Sequence, residues 1–251
     1  MLKDTNVEFI SRTALRFFVY AILVGAVALC VSWEAKYGTA DYLFDEDSIL
    51  EYLQVIALLF TALAAHVAGH WSKPKMALSS LLVGAACIAC IREFDFALDR
   101  YLFDGAWQLM ACITAFIAIS RAWQHKENLK DAISDFLARP SFGIMAAGFI
   151  TVFVFSRLIG RQVFWQAVMG DDYMRVVKIA VEESTELLGY TLILIGSLEF
   201  LRDALMAEKS SFPSAVGAAL DSITKGYKAL PNNPVSQITT GFDDKHLHPR
   251  G

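Results

Sequence analysis

Three groups of ionisable residues lie at the edges of long apolar stretches of this sequence, where charge is costly and marks a candidate site. The first group opens one such stretch with Glu51-Tyr52-Leu53-Gln54. Glu51 and Gln54 are three residues apart and therefore share one face of a helix. Ser48 and the acidic residues 45–47 come just before, where a helix N-terminus favours negative charge and a capping side chain. Glu51 lies a full turn deeper, so it is a candidate for a buried role.

The second group runs from Arg92 to Arg100 and follows apolar Ile91 without an intervening loop. Arg92 and Glu93 therefore begin at membrane depth. If the helix continues, Arg92, Asp95 and Asp99 share one face, because they are three and then four residues apart. The pattern predicts a central helix that carries an arginine and carboxylates into a polar region. The alternative is an ion-pair network that only locks neighbouring helices together.

The third group places Glu182, Glu183 and Glu186 within five residues, early in the last apolar stretch. Three carboxylates this close cannot all stay ionised and unpaired in a medium of low dielectric constant. They must be protonated, bound to a cation or paired with bases. The candidate bases are Lys178, Arg92, Arg157 and Arg161.

Together the three groups predict a polar pocket that opens outward between the second, third, fifth and sixth apolar stretches. Two tyrosines and a glutamine are expected to line it beside the charged groups. The predicted pocket residues are Glu51, Tyr52, Gln54, Arg92, Glu93, Asp95, Arg157, Glu182, Glu183, Glu186 and Tyr190.

The composition indicates the elements that must position these residues. Of the 251 residues, 55% are hydrophobic and only 19% are charged, and the mean hydropathy is +0.44. An average soluble domain has about 25% charged residues, and a bilayer-spanning helix needs about 20 apolar residues. The sequence therefore predicts an all-α, polytopic membrane protein, a bundle of six transmembrane helices. The predicted spans are residues 17–33, 49–71, 76–95, 106–121, 140–158 and 176–201.

The distribution of lysine and arginine predicts the orientation of these spans. Most of these residues fall in segments that are cytoplasmic if the N-terminus is cytoplasmic, and acidic residues favour the opposite side. Six spans then place both termini in the cytoplasm and the protein in the cell (inner) membrane. The first span lacks a small-x-small cleavage site and is expected to be retained as an anchor. Residues 121–139 are expected to hold an amphipathic helix on the cytoplasmic surface.

The sequence divides into a transmembrane domain, residues 1–202, and a cytoplasmic tail, residues 203–251, predicted to be largely disordered. The expected partners are the lipid bilayer and either a second copy of the chain or another membrane protein. A net charge of −4 argues against a nucleic-acid partner.

Other chemistry-bearing residues are better explained by packing or by the membrane interface. His66 and His70 have metal-ligand spacing, but no third histidine lies in a membrane helix. Cys87 and Cys90 lie inside an apolar helix without a redox turn. We therefore assign no metal site, catalytic residue or cofactor from the sequence.

Three functions fit these features. The first is the binding or transport of a cation, protons or a small solute by the outward pocket. The second is a membrane scaffold or sensor subunit whose buried charges are structural. The third is a membrane-embedded enzyme that acts on lipid headgroups, with carboxylates as acid and base and an arginine holding phosphate. The chain lacks a complete catalytic motif, so the sequence favours a non-enzymatic role.

Overall fold

The computed structural model describes the backbone of residues 2–38 and 48–228, and the side chains of residues 10–38 and 48–207 and of Ser222. Throughout this part of the chain the regular secondary structure is helical, without strands. The chain divides into two compact units, residues 1–205 and 206–251. The acidic residues 45–47 lie outside the described residues.

Six helices are long and apolar enough to cross a membrane, which suggests a multi-pass membrane protein. A 19-residue helix, the shortest of the six, is about 28 Å long, close to the thickness of the hydrocarbon core. The prediction of six apolar helices is therefore confirmed. They are Ile10–Tyr37, Ile49–Trp71, Lys73–Glu93, Ala106–Gln124, Pro140–Ile159 and Arg175–Ala207.

The described residues form ten α-helical segments, which are joined by short turns. Ser48 begins the second helix, where its side chain accepts a hydrogen bond from the backbone N–H of Glu51 (3.4 Å), as a cap should. The segments are α1 (Leu2–Tyr37), α2 (Ile49–Trp71), α3 (Met76–Glu93), α4 (Asp95–Tyr101), α5 (Ala106–Gln124), α6 (Leu129–Leu137), α7 (Pro140–Ile150), α8 (Arg157–Ile159), α9 (Gln162–Met169) and α10 (Arg175–Lys228).

Helix α3 ends earlier than the sequence predicts. Phe94 leaves the helical conformation (φ −104°, ψ 18°), and a separate short helix, α4, starts at Asp95. Arg92, Asp95 and Asp99 therefore do not lie on one uninterrupted helix. Asp99 instead accepts a hydrogen bond from the backbone N–H of Gly105, which belongs to the turn before α5 (3.2 Å).

A π-helical segment, Thr151–Ser156, joins α7 to α8 within one continuous apolar span. Each π-helical turn holds about one more residue than an α-helical turn, so the segment changes the direction in which later side chains point. Arg157 follows it directly. The segment therefore sets the face on which Arg157 lies.

Apolar clusters join α10 to the other helices. Leu58 of α2 and Val152 of the π-helical segment are buried with Tyr190 of α10. Towards the other end of α10, Phe200 is buried against Phe136 of α6, with ring centroids 5.5 Å apart. These contacts hold α2, α6 and the fifth span against α10.

Helix α1 carries many exposed apolar side chains, and none of the residues in its most apolar stretch is buried. Among its described side chains, the contacts with other helices include one apolar cluster and one ion pair. Val27 and Val31 pack with Leu50 and Leu187, and Arg16 pairs with Glu199 at 3.2 Å.

The last helix is longer than expected. Its backbone continues to Lys228, past residue 203, where the sequence analysis places the start of the tail. Residues 229–251, which the composition predicts to be disordered, lie outside the described residues.

Candidate functional site

A polar cavity of about 300 Å³ lies where α2 begins, α3 ends and α10 begins. Eight of the eleven predicted pocket residues line it. The capping serine and additional residues of α10 complete the lining. The lining residues are Ser48, Glu51, Arg92, Glu93, Asp95, Arg157, Arg175, Lys178, Ile179, Glu182, Glu183 and Glu186.

Arg92 links α3 to α10 at one wall of the cavity. Its guanidinium donates hydrogen bonds to Glu93 (2.8 Å), Glu186 (3.4 Å) and the Tyr190 hydroxyl (3.3 Å). The Tyr190 hydroxyl in turn donates to Glu93 at 2.6 Å. Each of these groups therefore has an oppositely charged or hydrogen-bonding partner, as a buried ionic network requires. The Arg92 Nε is the exception, since it is buried without an acceptor.

Glu186 is buried, and its charge is compensated from two sides. Arg157 approaches one carboxylate oxygen at 3.0 Å, and Arg92 approaches the other at 3.4 Å. The buried hydroxyl of Ser156 also donates to Glu186, at 3.0 Å. Two arginines and a hydroxyl satisfy an ionised carboxylate in a medium of low dielectric constant.

Glu182 is also paired with bases. Arg157 lies 3.5 Å from one carboxylate oxygen, and Lys178 forms an ion pair one turn earlier in the same helix. Gly160 packs directly against this carboxyl group, since a Cβ atom there would lie 2.6 Å from the Glu182 carboxyl carbon. Any larger residue at position 160 would displace the Glu182 side chain.

Glu183 differs from its neighbours, because an uncharged group is its partner among the described side chains. The Gln54 side-chain amide donates to the Glu183 carboxylate at 2.9 Å and to its backbone carbonyl at 3.3 Å. Gln54 is fully buried, and its Oε1 atom has no hydrogen-bond partner. The pair therefore combines a carboxylate without a compensating base and a buried amide oxygen without a donor.

The remaining predicted residues are placed differently. Gln54 and Tyr190 lie behind the cavity wall, where they hydrogen-bond to Glu183 and Glu93. Asp95 lines the cavity but is exposed, and it accepts a hydrogen bond from the next backbone N–H, that of Phe96. Tyr52 is 53% exposed and is not part of the lining.

Sequence reasoning missed Ser156 and Arg175 as contributors to this region, and it assigned Ser48 only a capping role. Ser156 had a visible signal, because it directly precedes Arg157 in an otherwise apolar span. Arg161, which we considered as a base for these carboxylates, is not in the lining.

A second charge network lies near the other end of the apolar span Arg175–Ala207, and the sequence analysis did not identify it. Buried Glu199 pairs with Arg16 at 3.2 Å and with Arg202 at 2.7 Å. Arg202 and Arg139 also contact buried Asp203, at 2.9 and 4.0 Å. This network ties α1 and the start of the fifth span to α10.

Asp135 of α6 extends the second network. Its carboxylate accepts a hydrogen bond from Arg139 at 2.9 Å and lies 3.6 Å from the Lys75 ammonium group. The hydrogen bond to Asp135 raises the pKa of Arg139 above its ordinary value. Because Arg139 therefore stays charged at any physiological pH, the network keeps its full positive charge.

Within the residues that the structure describes, no three histidine, cysteine, aspartate or glutamate side chains are placed to hold a metal ion. Comparison with protein-family models, with curated proteins and with solved structures finds no match to this chain.

Proposed function

We propose that this protein is a six-helix membrane bundle whose polar cavity binds a small cation, in competition with protons, at Glu183. In this proposal the cavity opens outward, both termini are cytoplasmic and α6 lies on the cytoplasmic surface, as the distribution of lysine and arginine favours. A protein that transports the cation and a protein that only binds it would use this same site.

The observation that carries the proposal is the contrast between Glu183 and its neighbours. Glu182 and Glu186 are each paired with two basic side chains, whereas the described partner of Glu183 is the Gln54 amide. A partly buried carboxylate without a base is stabilised by a proton or a cation. The Gln54 amide N–H groups hold the Glu183 side chain and backbone from behind the cavity wall but add no charge to balance it.

One observation favours the second candidate, a scaffold or sensor subunit. Arg92, Glu93, Tyr190 and Glu186 satisfy one another, so these residues need no ligand. We assign them the structural role of joining α3 to α10. The two roles are compatible, because this network forms the wall beside Glu183.

The experiment is a thermal unfolding series on the purified full-length protein at constant ionic strength. Chlorides of Na⁺, K⁺ and methylammonium are compared with the chloride of the bulky cation N-methylglucamine. A ligand that binds only the folded protein raises its stability, and roughly 3 °C in Tm corresponds to each kcal/mol. We expect at least one small cation to raise the Tm, and the increase to shrink as pH falls because protons occupy the same carboxylate.

The variant Glu183→Gln should remove this cation-dependent increase. The matched control is Glu127→Gln, the same chemical change at an exposed residue outside the cavity. An increase that persists in Glu183→Gln, or the absence of any increase in the wild-type protein, would contradict the proposal.

A further inference from the structure

A second cavity, of about 280 Å³, lies between α2, α3 and α5, near the end of α3 opposite to the carboxylate cavity. One part of its lining is polar and comes from helix ends. His66 and His70 belong to the last turns of α2, Ser79 to the first turns of α3 and Arg121 to the last turn of α5. Among the described residues, the lining contains no carboxylate.

The polar part of this cavity is suited to an anion. Arg121 has no ion pair among the described side chains, so its charge is available. The N-terminal turn of α3, which carries Ser79, adds the positive end of a helix dipole. Imidazole, hydroxyl and guanidinium groups all donate hydrogen bonds to phosphate oxygens.

Ser79 gives an independent indication of a ligand. Only 3% of the residue is exposed, and its hydroxyl has no hydrogen-bond partner among the described residues. An unsatisfied buried hydroxyl costs free energy unless something occupies the site. Ser79 lines the cavity together with Gly69, and its hydroxyl oxygen lies 2.9 Å from the position that a Cβ atom on Gly69 would take. The hydroxyl of the neighbouring Ser80 is already bonded to the Met76 carbonyl.

The rest of the cavity is apolar and extends along the membrane-spanning helices. Val83 and Cys87 follow Ser79 along α3, and Ile117 and Ala118 precede Arg121 along α5. A free phosphate ion would leave this apolar part empty, whereas an acyl chain would fill it. Basic pockets between membrane helices are a recognised means of binding anionic lipid headgroups.

We infer that this cavity binds an anionic phospholipid, with the phosphate group at Arg121, Ser79 and the two histidines and one acyl chain along the groove that α3 and α5 form. The site is independent of the carboxylate cavity, because the two share no lining residue.

The test uses the full-length protein in detergent, with native mass spectrometry to count bound lipid. Dioleoyl phosphatidylglycerol is compared with dioleoyl phosphatidylcholine, and inorganic phosphate is titrated separately by calorimetry. We expect phosphatidylglycerol to bind in preference to phosphatidylcholine. Replacing Arg121 with glutamine removes a charge-assisted hydrogen bond and should weaken phosphatidylglycerol binding roughly tenfold.

Two further variants keep the result interpretable. Ser79→Ala removes only a hydroxyl and should weaken lipid binding roughly threefold, even if Arg121→Gln fails to fold. Lys73→Gln removes the same charge at an exposed residue near the same end of α3, outside the cavity lining. It should leave phosphatidylglycerol binding unchanged.

Three outcomes would overturn the inference. The first is equal loss of binding in Lys73→Gln and Arg121→Gln, which would indicate general attraction to anionic lipid. The second is unchanged binding in both Arg121→Gln and Ser79→Ala. The third is inorganic phosphate binding as tightly as phosphatidylglycerol, which would assign the site to a free anion.

Discussion

Glu183 and Glu186 lie about one helical turn apart on α10, yet their surroundings give them opposite roles. Glu186 is held by Arg92, Arg157 and Ser156. Its ionised form is therefore part of the folded structure, whereas Glu183 is the residue at which we propose that a cation or a proton binds. This difference predicts that replacing glutamate with glutamine has different effects on stability at the two positions.

The variant Glu186→Gln should destabilise the protein by about 2 kcal/mol, because it leaves two arginines at the cavity wall without their shared carboxylate. The partial exposure of Arg157, 45% of its side chain, keeps the loss below that of a fully buried pair. Chemical denaturation measures the effect, and Glu183→Gln serves as the comparison without such a loss. An Arg157→Gln/Glu186→Gln double variant should lose less than the sum of the single losses. Additive losses would show that the two residues do not interact.

The sequence predicted which carboxylates would lie together at the cavity, but not which of them would be paired with basic side chains. Glu182, Glu183 and Glu186 were recognisable because a membrane helix rarely carries three acids within five residues. Their partners depend on how far α2, α3 and the fifth span are rotated about their axes, and residue spacing within α10 contains no such information. Glu199 was overlooked although it is a carboxylate within the predicted span 176–201.

At the level of helices, α7 and α10 approach each other at two glycines. A Cβ atom on Gly148 would lie 2.6 Å from the Gly189 carbonyl oxygen and 2.8 Å from the Ile193 backbone nitrogen. Small residues allow this close contact between membrane helices. The approach also brings Val152 into the cluster with Tyr190, so it supports the wall of the carboxylate cavity.

Gly148→Ala should therefore destabilise the protein, by about 1–3 kcal/mol, because the methyl group forces the helices apart. Gly143 provides a matched control in the same helix, since a Cβ atom there would meet nothing within 4 Å. Gly143→Ala should be neutral or stabilising, because alanine favours a helix by up to about 1 kcal/mol over glycine. Thermal unfolding of both variants checks this, and equal Tm values would contradict the close contact.

The sequence did not predict two irregularities in the helices, and the reason is the same for both. Hydrophobic periodicity reports where a helix is but not where its hydrogen-bond pattern changes. The break at Phe94 has no proline or glycine to mark it, and the π-helical segment Thr151–Ser156 is a continuous apolar run. Both adjoin the carboxylate cavity: the break sets the position of Asp95, and the π-helical segment sets the position of Arg157.

For the whole molecule, the two cavities have opposite chemical character. About 20 Å of helix separates Ser79 from Arg92 along α3, and each lines a different cavity. One lining contains six carboxylates, and the other contains two histidines and an arginine that has no ion pair with any described side chain. The sequence predicts a basic cytoplasmic side and an acidic outer side, and the proposed topology assigns one cavity to each side.

The proposed topology predicts which exposed positions can be labelled from outside the cell. In a variant with its four cysteines replaced by serine, a membrane-impermeant maleimide should label Asp171→Cys in intact cells. The matched position Glu127→Cys should react only after permeabilisation. Both native residues are exposed, so burial does not limit either reaction. Labelling of Glu127→Cys in intact cells would reverse the orientation.

The light attachment of α1 has a mechanical consequence. The described side chains of this helix include one ion pair near one end and a small apolar cluster near the other, and no described residue of α1 lines either cavity. A pulling force applied at the N-terminus would therefore extract α1 as a separate first step. Both cavities would keep every lining residue after that step, because the remaining five spans supply them all.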